Sequence, residues 1–228
     1  MSLWSRLKRR LAHRQSLSSL DAYALWAESY PPYAHNGLME IEQAAMLYAM
    51  PPLTDLVVLD LAGGTGRYGL IAHNAGASQV VGVDNSGPML HAGIKAGVAY
   101  PLAQTTMSRL PFASATFDVI VCGLATGHLP PNSMQQALAE TSRVLRPGGE
   151  ALFSDFHPMI YLRGGRRTFT ALDGTHYEVE HYPHTLAAYT DAIRAAGMTI
   201  ITVDEPQATV NGANVPTVLV IRCQKDHV

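Results

Sequence analysis

The sequence has few cysteines, few charges and no long apolar run, and each shortage excludes a class of protein. Its two cysteines, Cys122 and Cys223, fall in predicted strands, which favours buried thiols over a disulfide-stapled fold. No stretch reaches the roughly 20 apolar residues of a membrane span. We expect no signal peptide, because its apolar core and cleavage pattern are missing. The 228 residues, 47% hydrophobic and 15% charged, predict one globular cytoplasmic domain with a sizeable core.

Basic charge is concentrated at one end of the chain. Lys and Arg total 16 against 18 Asp and Glu, and residues 1–15 contain five of these basic residues but no acid. Apolar residues recur there at helical spacing: Leu3, Trp4, Leu7 and Leu11. We predict a short basic amphipathic helix, either a weak contact with an anionic membrane surface or a lid helix. The acidic remainder offers no broad basic face, which disfavours nucleic acid as a substrate.

Residues 57–68 carry the strongest functional signal. An apolar run ends at Asp60, a turn containing Gly63, Gly64 and Gly66 follows, and a helical pattern then begins. Glycines permit a sharp turn and let a ligand approach the backbone closely. The following helix offers free N–H groups and the positive end of its dipole. The pattern predicts a site for a nucleoside-type cofactor.

Two cofactors compete for this site. Residues 64–69 fit G-x-G-x-x-G, and Asp84 lies 20 residues after Gly64, which matches a dinucleotide-binding fingerprint. However, Asp60 would repel a pyrophosphate, whereas it would attract the ammonium and sulfonium groups of S-adenosylmethionine (SAM). We therefore favour SAM and keep an NAD(P)-dependent oxidoreductase as an alternative.

Four motifs follow one another along the chain: D-L-A-G-G-T-G-R at 60–67, V-G-V-D at 81–84, L-P-F-A-S-A-T-F-D at 110–118 and R-V-L-R-P-G-G at 143–149. In this order and spacing the chain resembles the class I SAM-dependent methyltransferases, in the branch that acts on small molecules, quinones or lipids. The resemblance covers roughly residues 20–222. It implies the superfamily and leaves the substrate open.

Alternating strand and helix patterns predict an α/β fold, a Rossmann-like sheet with helices on both faces. The resemblance implies seven strands, mostly parallel, with an antiparallel last strand. Strands are predicted at 56–61, 79–83, about 99–105, 117–123, 149–155, 198–205 and 215–222. Helices are predicted at 18–29, 37–49, 66–75, 87–97, 132–145 and 185–196. Residues 1–50 should form a lid, and 51–228 the SAM-binding core with a cover insertion at about 157–184, containing a hairpin at Asp173-Gly174.

The resemblance also implies which residues hold the cofactor. Asp60 and the turn glycines Gly63, Gly64 and Gly66 would contact its methionine part, and Asp84 its ribose. Further expected contacts are Asn85, Met89, Thr106 and Met107 near the adenine, Gly123 near the sulfonium, Arg67 at the carboxylate and Tyr30 from the lid. Thr106 stands where the family often has an aspartate, so the adenine contact departs from the family pattern.

Histidines supply the candidate catalytic groups, because an acceptor hydroxyl or acidic carbon must lose a proton near neutral pH. His128 and His157 follow the fourth and fifth predicted strands, and therefore fall on the ligand edge of the sheet. The alternative for each is a loop histidine bonded to backbone. Candidate substrate contacts are Tyr33, His35, Arg166 and His184. We expect no metal, because no cysteine joins the histidines at 176, 181 and 184.

The sequence thus predicts an enzyme that transfers the methyl group of SAM to a hydroxyl, carboxyl or carbon of a small, aromatic or lipid-like acceptor. A noncatalytic SAM-binding regulatory module remains an alternative, because a fold does not determine function. The basic tail keeps an RNA methyltransferase open as a further alternative.

Overall fold

The structure, a computed structural model, describes residues 15–210 and 212–227. The basic helix predicted for residues 1–15 therefore lies outside the described residues, except for its last residue. The strands are β1 (Gln15–Leu17), β2 (Val57–Leu61), β3 (Gln79–Asp84), β4 (Leu102–Gln104), β5 (Phe117–Gly123), β6 (Leu145–Phe156), β7 (Thr168–Thr170), β8 (His176–Val179), β9 (Met198–Asp204), β10 (Gln207–Val210), β11 (Ala213–Pro216) and β12 (Val218–Lys225).

The helices are α1 (Ser19–Trp26), α2 (Gly37–Ala49), α3 (Arg67–Asn74), α4 (Gly87–Lys95), α5 (Pro131–Val144), α6 (Pro158–Leu162) and α7 (Leu186–Ala195). Side-chain caps fix where several of them begin, because the first turn has backbone N–H groups without helical partners. The Asn36 side chain accepts from the Met39 N–H at 3.0 Å at the start of α2, and Ser86 caps α4 in the same way. The predicted helices match these bounds closely. The short helix α6 was not predicted.

Seven strands form the central sheet in the order β4-β3-β2-β5-β6-β12-β9. Strand β12 runs antiparallel between β6 and β9, and the other pairs from β4 to β6 are parallel. The predicted fold class, a mostly parallel seven-stranded sheet with an antiparallel last strand, is confirmed. Parallel strands end at one edge of the sheet, where ligands bind in such folds.

Alternating side chains of β5 place core on both faces of the sheet. Ile120 and Cys122 pack on the side covered by α5 and α7, whereas Val119 and Val121 pack on the side covered by α2 and α3. This alternation follows from the two-residue period of a strand, and burial on both faces explains its nearly continuous apolar sequence. Cys122 and Cys223 are both free, buried thiols, as predicted.

The last strand begins later than predicted, at Val218 instead of residue 215. Residues 213–216 pair with 207–210 in a separate two-stranded sheet, across a connection that contains Gly212. Residues 213–216 therefore belong to a side hairpin and do not lead directly into the central sheet.

The cover is built from two distant parts of the chain. Strands β7 and β8 form the hairpin predicted at Asp173-Gly174, and β1 adds to β8 in parallel, so that the N-terminal segment and the insertion share one small sheet. Trp26 of α1 stacks on Phe169 of β7 with ring centroids 4.8 Å apart. The N-terminal region and the insertion thus form one continuous cover over the ligand edge. Among the described residues, no helix combines the length and apolarity that crossing a membrane requires.

Candidate active site

A cavity of about 210 Å³ lies at the carboxyl ends of β2, β3 and β5, beneath the cover. Eleven of the twelve residues predicted to hold the cofactor line it: Tyr30, Asp60, Gly63, Gly64, Arg67, Asp84, Asn85, Met89, Thr106, Met107 and Gly123. Leu124, Tyr23 and His128 also line it. The structure therefore brings together side chains from the lid, four strand ends and the cover.

The glycine turn keeps space free beside two carboxylates. Gly64 has a φ of 58°, and a Cβ there would lie 3.0 Å from Met89 Cε. A Cβ on Gly63 would lie 2.6 Å from the Asp60 carboxyl carbon. A side chain at either position would fill the space in which a ligand has to approach the backbone of the turn.

Gly66 is the predicted cofactor residue that does not line the cavity. Its φ is 91°, and a Cβ would lie 2.7 Å from Val98, on the other side of the turn. Its amide donates to Gly63 O at 2.8 Å. Gly66 therefore shapes the start of α3, and the expectation of a direct cofactor contact is corrected.

Asp84 is fixed by two backbone donors. Its Oδ2 accepts from the Gly64 N–H at 2.9 Å and its Oδ1 from the Ser86 N–H at 2.8 Å. Burial raises the pKa of this carboxyl above its usual value, while these hydrogen bonds lower it. Each carboxylate oxygen has a second lone pair, so Asp84 can still accept from ligand hydroxyls.

Asp60 is 1% exposed and accepts from the Gly69 N–H at 2.8 Å. Burial raises the pKa of Asp60 from 3.8 to about 7, although the Gly69 bond and the nearby Arg67 charge lower it. A ligand cation beside Asp60 would restore its ionised form. Two acidic groups on adjacent strand ends make this part of the cavity suited to a cation and to hydroxyl groups.

The Arg67 guanidinium already has an anionic partner. It donates to Glu42 of α2 at 2.7 Å, and the same carboxylate accepts from the Tyr68 hydroxyl at 2.7 Å and from Ser154 Oγ at 2.5 Å. Glu42 is fully buried. Arg67 therefore joins α2 to the glycine turn, and the interpretation of it as a free partner for a ligand carboxylate is not supported. An acid within an apolar helical stretch was the sequence signal for Glu42.

His128 lies at the cavity wall, as predicted. Because a carbonyl can only accept, its Nδ1 donates to Glu180 O at 2.8 Å, and its Nε2 accepts from the Tyr23 hydroxyl at 3.3 Å. Burial, and then the positive charge of Arg167, lower the pKa of His128 to about 3. The imidazole is therefore neutral near pH 7 and serves as a hydrogen-bond acceptor rather than as an effective base.

His157 does not reach the cavity. Its Nδ1 accepts from the Met159 N–H at 3.2 Å, capping α6, and its Nε2 lies 2.9 Å from Glu205. Its backbone N–H donates to Thr217 O at 3.0 Å, next to the start of β12. The prediction that His157 is catalytic is not supported by its position.

None of the four predicted substrate residues lines the cavity. Tyr33 is 62% exposed, and His35 packs on Trp26 and Tyr30 of the lid. His184 is buried and donates to Leu129 O at 2.9 Å, which holds a loop rather than a ligand.

Arg166 points outward and lies 3.5 Å from Glu178. Its neighbour Arg167 is buried, lines the cavity and donates to the Tyr23 hydroxyl. The candidate Arg166 thus faces away from the cavity and Arg167 faces it, because consecutive residues of an extended segment point in opposite directions.

Sequence reasoning also missed a buried polar network at the end of β6. Asp155 accepts from the Tyr189 hydroxyl at 2.7 Å and from His181 Nε2 at 3.1 Å. Burial raises the pKa of Asp155, but the hydrogen bonds from His181 and Tyr189 outweigh it and keep the pKa below its usual value. The only signal in the sequence was an acid at the end of a buried strand. In the part of the chain that the structure describes, no group of three His, Cys, Asp or Glu is arranged to hold a metal.

The comparisons with known proteins agree with this geometry. Residues 58–149 match the protein family described as "Methyltransferase domain". Over these residues the chain is similar to methyltransferase domains. The matched stretch includes the glycine turn and the Asp60 and Asp84 carboxylates, so the resemblance to methyltransferases noted from the sequence motifs is confirmed.

Curated relatives share the methyltransferase domain but only part of the chain. The ubiquinone/menaquinone biosynthesis C-methyltransferase UbiE of Ralstonia pickettii is 37% identical over 105 residues, which cover 43% of this chain and 42% of that protein. The demethylmenaquinone methyltransferase of Streptomyces avermitilis is 36% identical over 102 residues, with 44% and 43% covered. The chain thus spans less than half the length of these relatives.

The fold of the methyltransferase domain and its cover recurs in solved structures. The N-methyltransferase NodS from Bradyrhizobium japonicum, solved with S-adenosyl-L-homocysteine, superposes with a TM-score of 0.71 at 14% identity. The superposition covers 92% of this chain and 99% of NodS. At this identity the likeness concerns the fold alone.

Proposed function

We propose that this protein is an enzyme that binds SAM and transfers its methyl group to a small aromatic acceptor. The observation that carries the proposal is the pair of carboxylates on adjacent strand ends beside the open glycine turn, Asp60, which is buried, and Asp84, which is partly buried. When bound, SAM supplies an electrophilic methyl group on a sulfonium. The residues around the cavity then have to hold the acceptor in line and exclude water.

The lining of the cavity fits SAM better than a dinucleotide. Asp84 has acceptor capacity for both ribose hydroxyls, and Asp60 would face the methionine ammonium. Gly63 and Gly64 leave room that a Cβ would fill. Arg67, the arginine of the turn, is already paired with Glu42 and is therefore not free to hold a pyrophosphate.

The acceptor would lie toward His128 and the cover. Tyr23, Tyr30, Leu124 and Leu129 line this side with aromatic and apolar surface, which suits a flat ring. His128 Nε2 accepts from the Tyr23 hydroxyl, and the Tyr23 oxygen, which also accepts from Arg167, keeps a second lone pair that can accept from a hydroxyl of the acceptor. Of the named relatives, one is a ubiquinone/menaquinone biosynthesis C-methyltransferase and the other a demethylmenaquinone methyltransferase. We infer a hydroquinone-like or phenolic acceptor, methylated at oxygen or at ring carbon.

Calorimetric titration with S-adenosylhomocysteine, NAD and NADP tests the cofactor. Binding of S-adenosylhomocysteine alone is expected, and binding of a dinucleotide alone would overturn the proposal. Turnover is then measured as methyl transfer from SAM to panels of hydroquinones, phenols and carboxylic acids. Cofactor binding without turnover on any panel would instead favour a noncatalytic SAM-binding module.

A further inference from the structure

Three buried polar atoms lack a hydrogen-bond partner among the described residues: Arg167 Nη1, Tyr161 Oη and His181 Nδ1. Buried polar atoms without partners are rare and costly in folded proteins. All three belong to one cluster of side chains. Tyr161 stacks on His181 with ring centroids 4.7 Å apart, Phe156 packs edge-on against His181 at 5.7 Å, and the Arg167 guanidinium lies 4.5 Å over the Phe156 ring.

Arg167 is the unusual member of this cluster. It is 8% exposed, and no carboxylate in the described part of the chain lies within ion-pair distance of it. Its one side-chain hydrogen bond goes to a neutral acceptor, the Tyr23 hydroxyl. A buried guanidinium is expensive unless an anion compensates it. Since Arg167 also lines the cavity, a ligand is the natural source of that anion.

The position of Arg167 separates it from the expected cofactor groups. Asp84 and Asp60 end β3 and β2, whereas Arg167 lies over Phe156, at the end of β6. Strand β5 lies between β2 and β6 in the sheet. With about 4.8 Å between neighbouring strands, Arg167 belongs to the acceptor side of the cavity.

We propose that Arg167, together with the Tyr161 hydroxyl and the His181 imidazole, forms a subsite that binds an ionised hydroxyl of the aromatic acceptor. This inference rests on the proposed function and names the charge of its acceptor. Arg167 supplies the positive charge, the Tyr161 hydroxyl can donate, and the aromatic wall packs against the ring.

His181 is oriented to receive the proton of an acceptor that arrives as a neutral phenol. Its Nε2–H donates to Asp155, so its Nδ1 lone pair is free. The acceptor O–H bond breaks, the proton moves to His181 Nδ1, and the electron pair stays on oxygen beside Arg167. Asp155 stabilises the imidazolium that forms, in the way a carboxylate supports a histidine base.

The test uses para-nitrophenol, whose ionised form has its own absorption band, and para-nitroanisole as its uncharged analogue. Both are titrated into the S-adenosylhomocysteine complex of the wild type, of Arg167→Met and of the control Arg163→Met. Arg163 is exposed on the same insertion, so the control makes the same change of charge. The wild type and the control should bind the phenolate at least about tenfold more tightly than Arg167→Met does. Binding of para-nitroanisole should not change.

Stability separates this role from a structural one. If Arg167 is an uncompensated buried charge, Arg167→Met should melt at the same temperature as the wild type or higher in the absence of ligand. If that variant fails to fold, Arg167→Lys keeps the charge and should bind the phenolate with reduced preference, because the planar fork is lost.

Three results would overturn the inference: no preference of the wild type for the phenolate, an equal loss in Arg163→Met, or a loss of S-adenosylhomocysteine affinity in Arg167→Met with the phenolate preference intact. The last result would assign the anion to the cofactor carboxylate. The phenolate titration is repeated without S-adenosylhomocysteine, so that failure of cofactor binding, which would refute the proposed function, is distinguished from failure of the subsite.

Discussion

The two halves of the cavity are built in different ways. The half around the glycine turn takes its polar groups from two short motifs, Asp60 to Gly64 and Asp84 to Met89, at the ends of adjacent strands. The half beneath the cover takes Tyr23 from α1, His128 from the segment after β5 and Arg167 from the insertion, and the pair of Asp155 and His181 adjoins it. The first half is local in sequence and the second is assembled from remote segments.

This difference has an energetic counterpart. In the first half, backbone amides satisfy both carboxylates before any ligand binds. In the second half, the three buried polar atoms without partners remain. Backbone amides of a local turn can supply the donors that a carboxylate needs. Side chains from distant elements leave some polar atoms without a hydrogen-bond partner, and a ligand can supply that partner. The first half therefore suits one fixed cofactor, and the second can differ between proteins that share the fold.

The largest effect is expected at Glu42, which joins the two halves. It binds Arg67 and Tyr68 at the turn and Ser154 on β6. Glu42→Ala leaves the buried Arg67 charge without its partner, which should lower the free energy of unfolding by about 3–5 kcal/mol. Urea denaturation measures this, with Glu40→Ala on the exposed side of α2 as the control. Equal stability of both variants would contradict the role of Glu42.

Asp84→Ala removes a carboxylate from the half of the cavity around the glycine turn and leaves the other half unchanged. We expect the affinity for S-adenosylhomocysteine to fall about ten- to hundredfold, because a charge-assisted pair of hydrogen bonds to the ribose is lost. Calorimetric titration measures the change, and Asp191→Ala on the exposed face of α7 serves as the control. Affinity that stays at the wild-type value would remove the ribose role from Asp84.

Asp60 adds a pH dependence to the first half. Because its pKa in the folded protein is raised from 3.8 to about 7, its contribution to the stability of the ligand-free protein is full below 3.8 and is lost as pH rises through about 7. The affinity for the ligand changes with pH in the opposite direction and increases as pH rises, because only ionised Asp60 attracts the ammonium group.

Affinity for S-adenosylhomocysteine should therefore rise by up to about tenfold per pH unit below the pKa of Asp60 and level off above it. Asp60→Asn should abolish this dependence. Titrations over a pH series in two buffers, which also report proton release, check the prediction. A wild-type affinity that does not vary with pH would contradict it.

The smallest effect is expected at His157, which lies outside both halves. His157→Ala removes the cap of α6, which should cost about 1 kcal/mol of stability. Binding of S-adenosylhomocysteine and of para-nitrophenol should stay within about threefold of the wild type. Thermal unfolding and the two titrations check this. Weaker binding of either ligand would indicate that His157 contributes to the active site.

The same contrast explains how much could be predicted from the sequence. The glycine turn, the two acids and the helices on either side follow from local patterns, because each motif is recognisable from a few consecutive residues. The choice between Arg166 and Arg167 depends on the direction of an extended segment of the insertion, and the pairing of His181 with Asp155 joins positions 26 residues apart. No local pattern contains that information, and the distance of a histidine from a strand end does not reveal its hydrogen-bond partners.

The parallel pairing of β1 with β8 places residues 15–17 beside residues 177–179, roughly 160 positions later in the chain. A contact of this sequence separation closes a long loop, and such contacts form late in folding because the closure entropy must be met first. The cover over the site can therefore form completely only after the chain has been synthesised beyond residue 179. Proteolytic removal of the first strand from the finished protein would open one edge of the small sheet while the central sheet keeps all of its own hydrogen bonds.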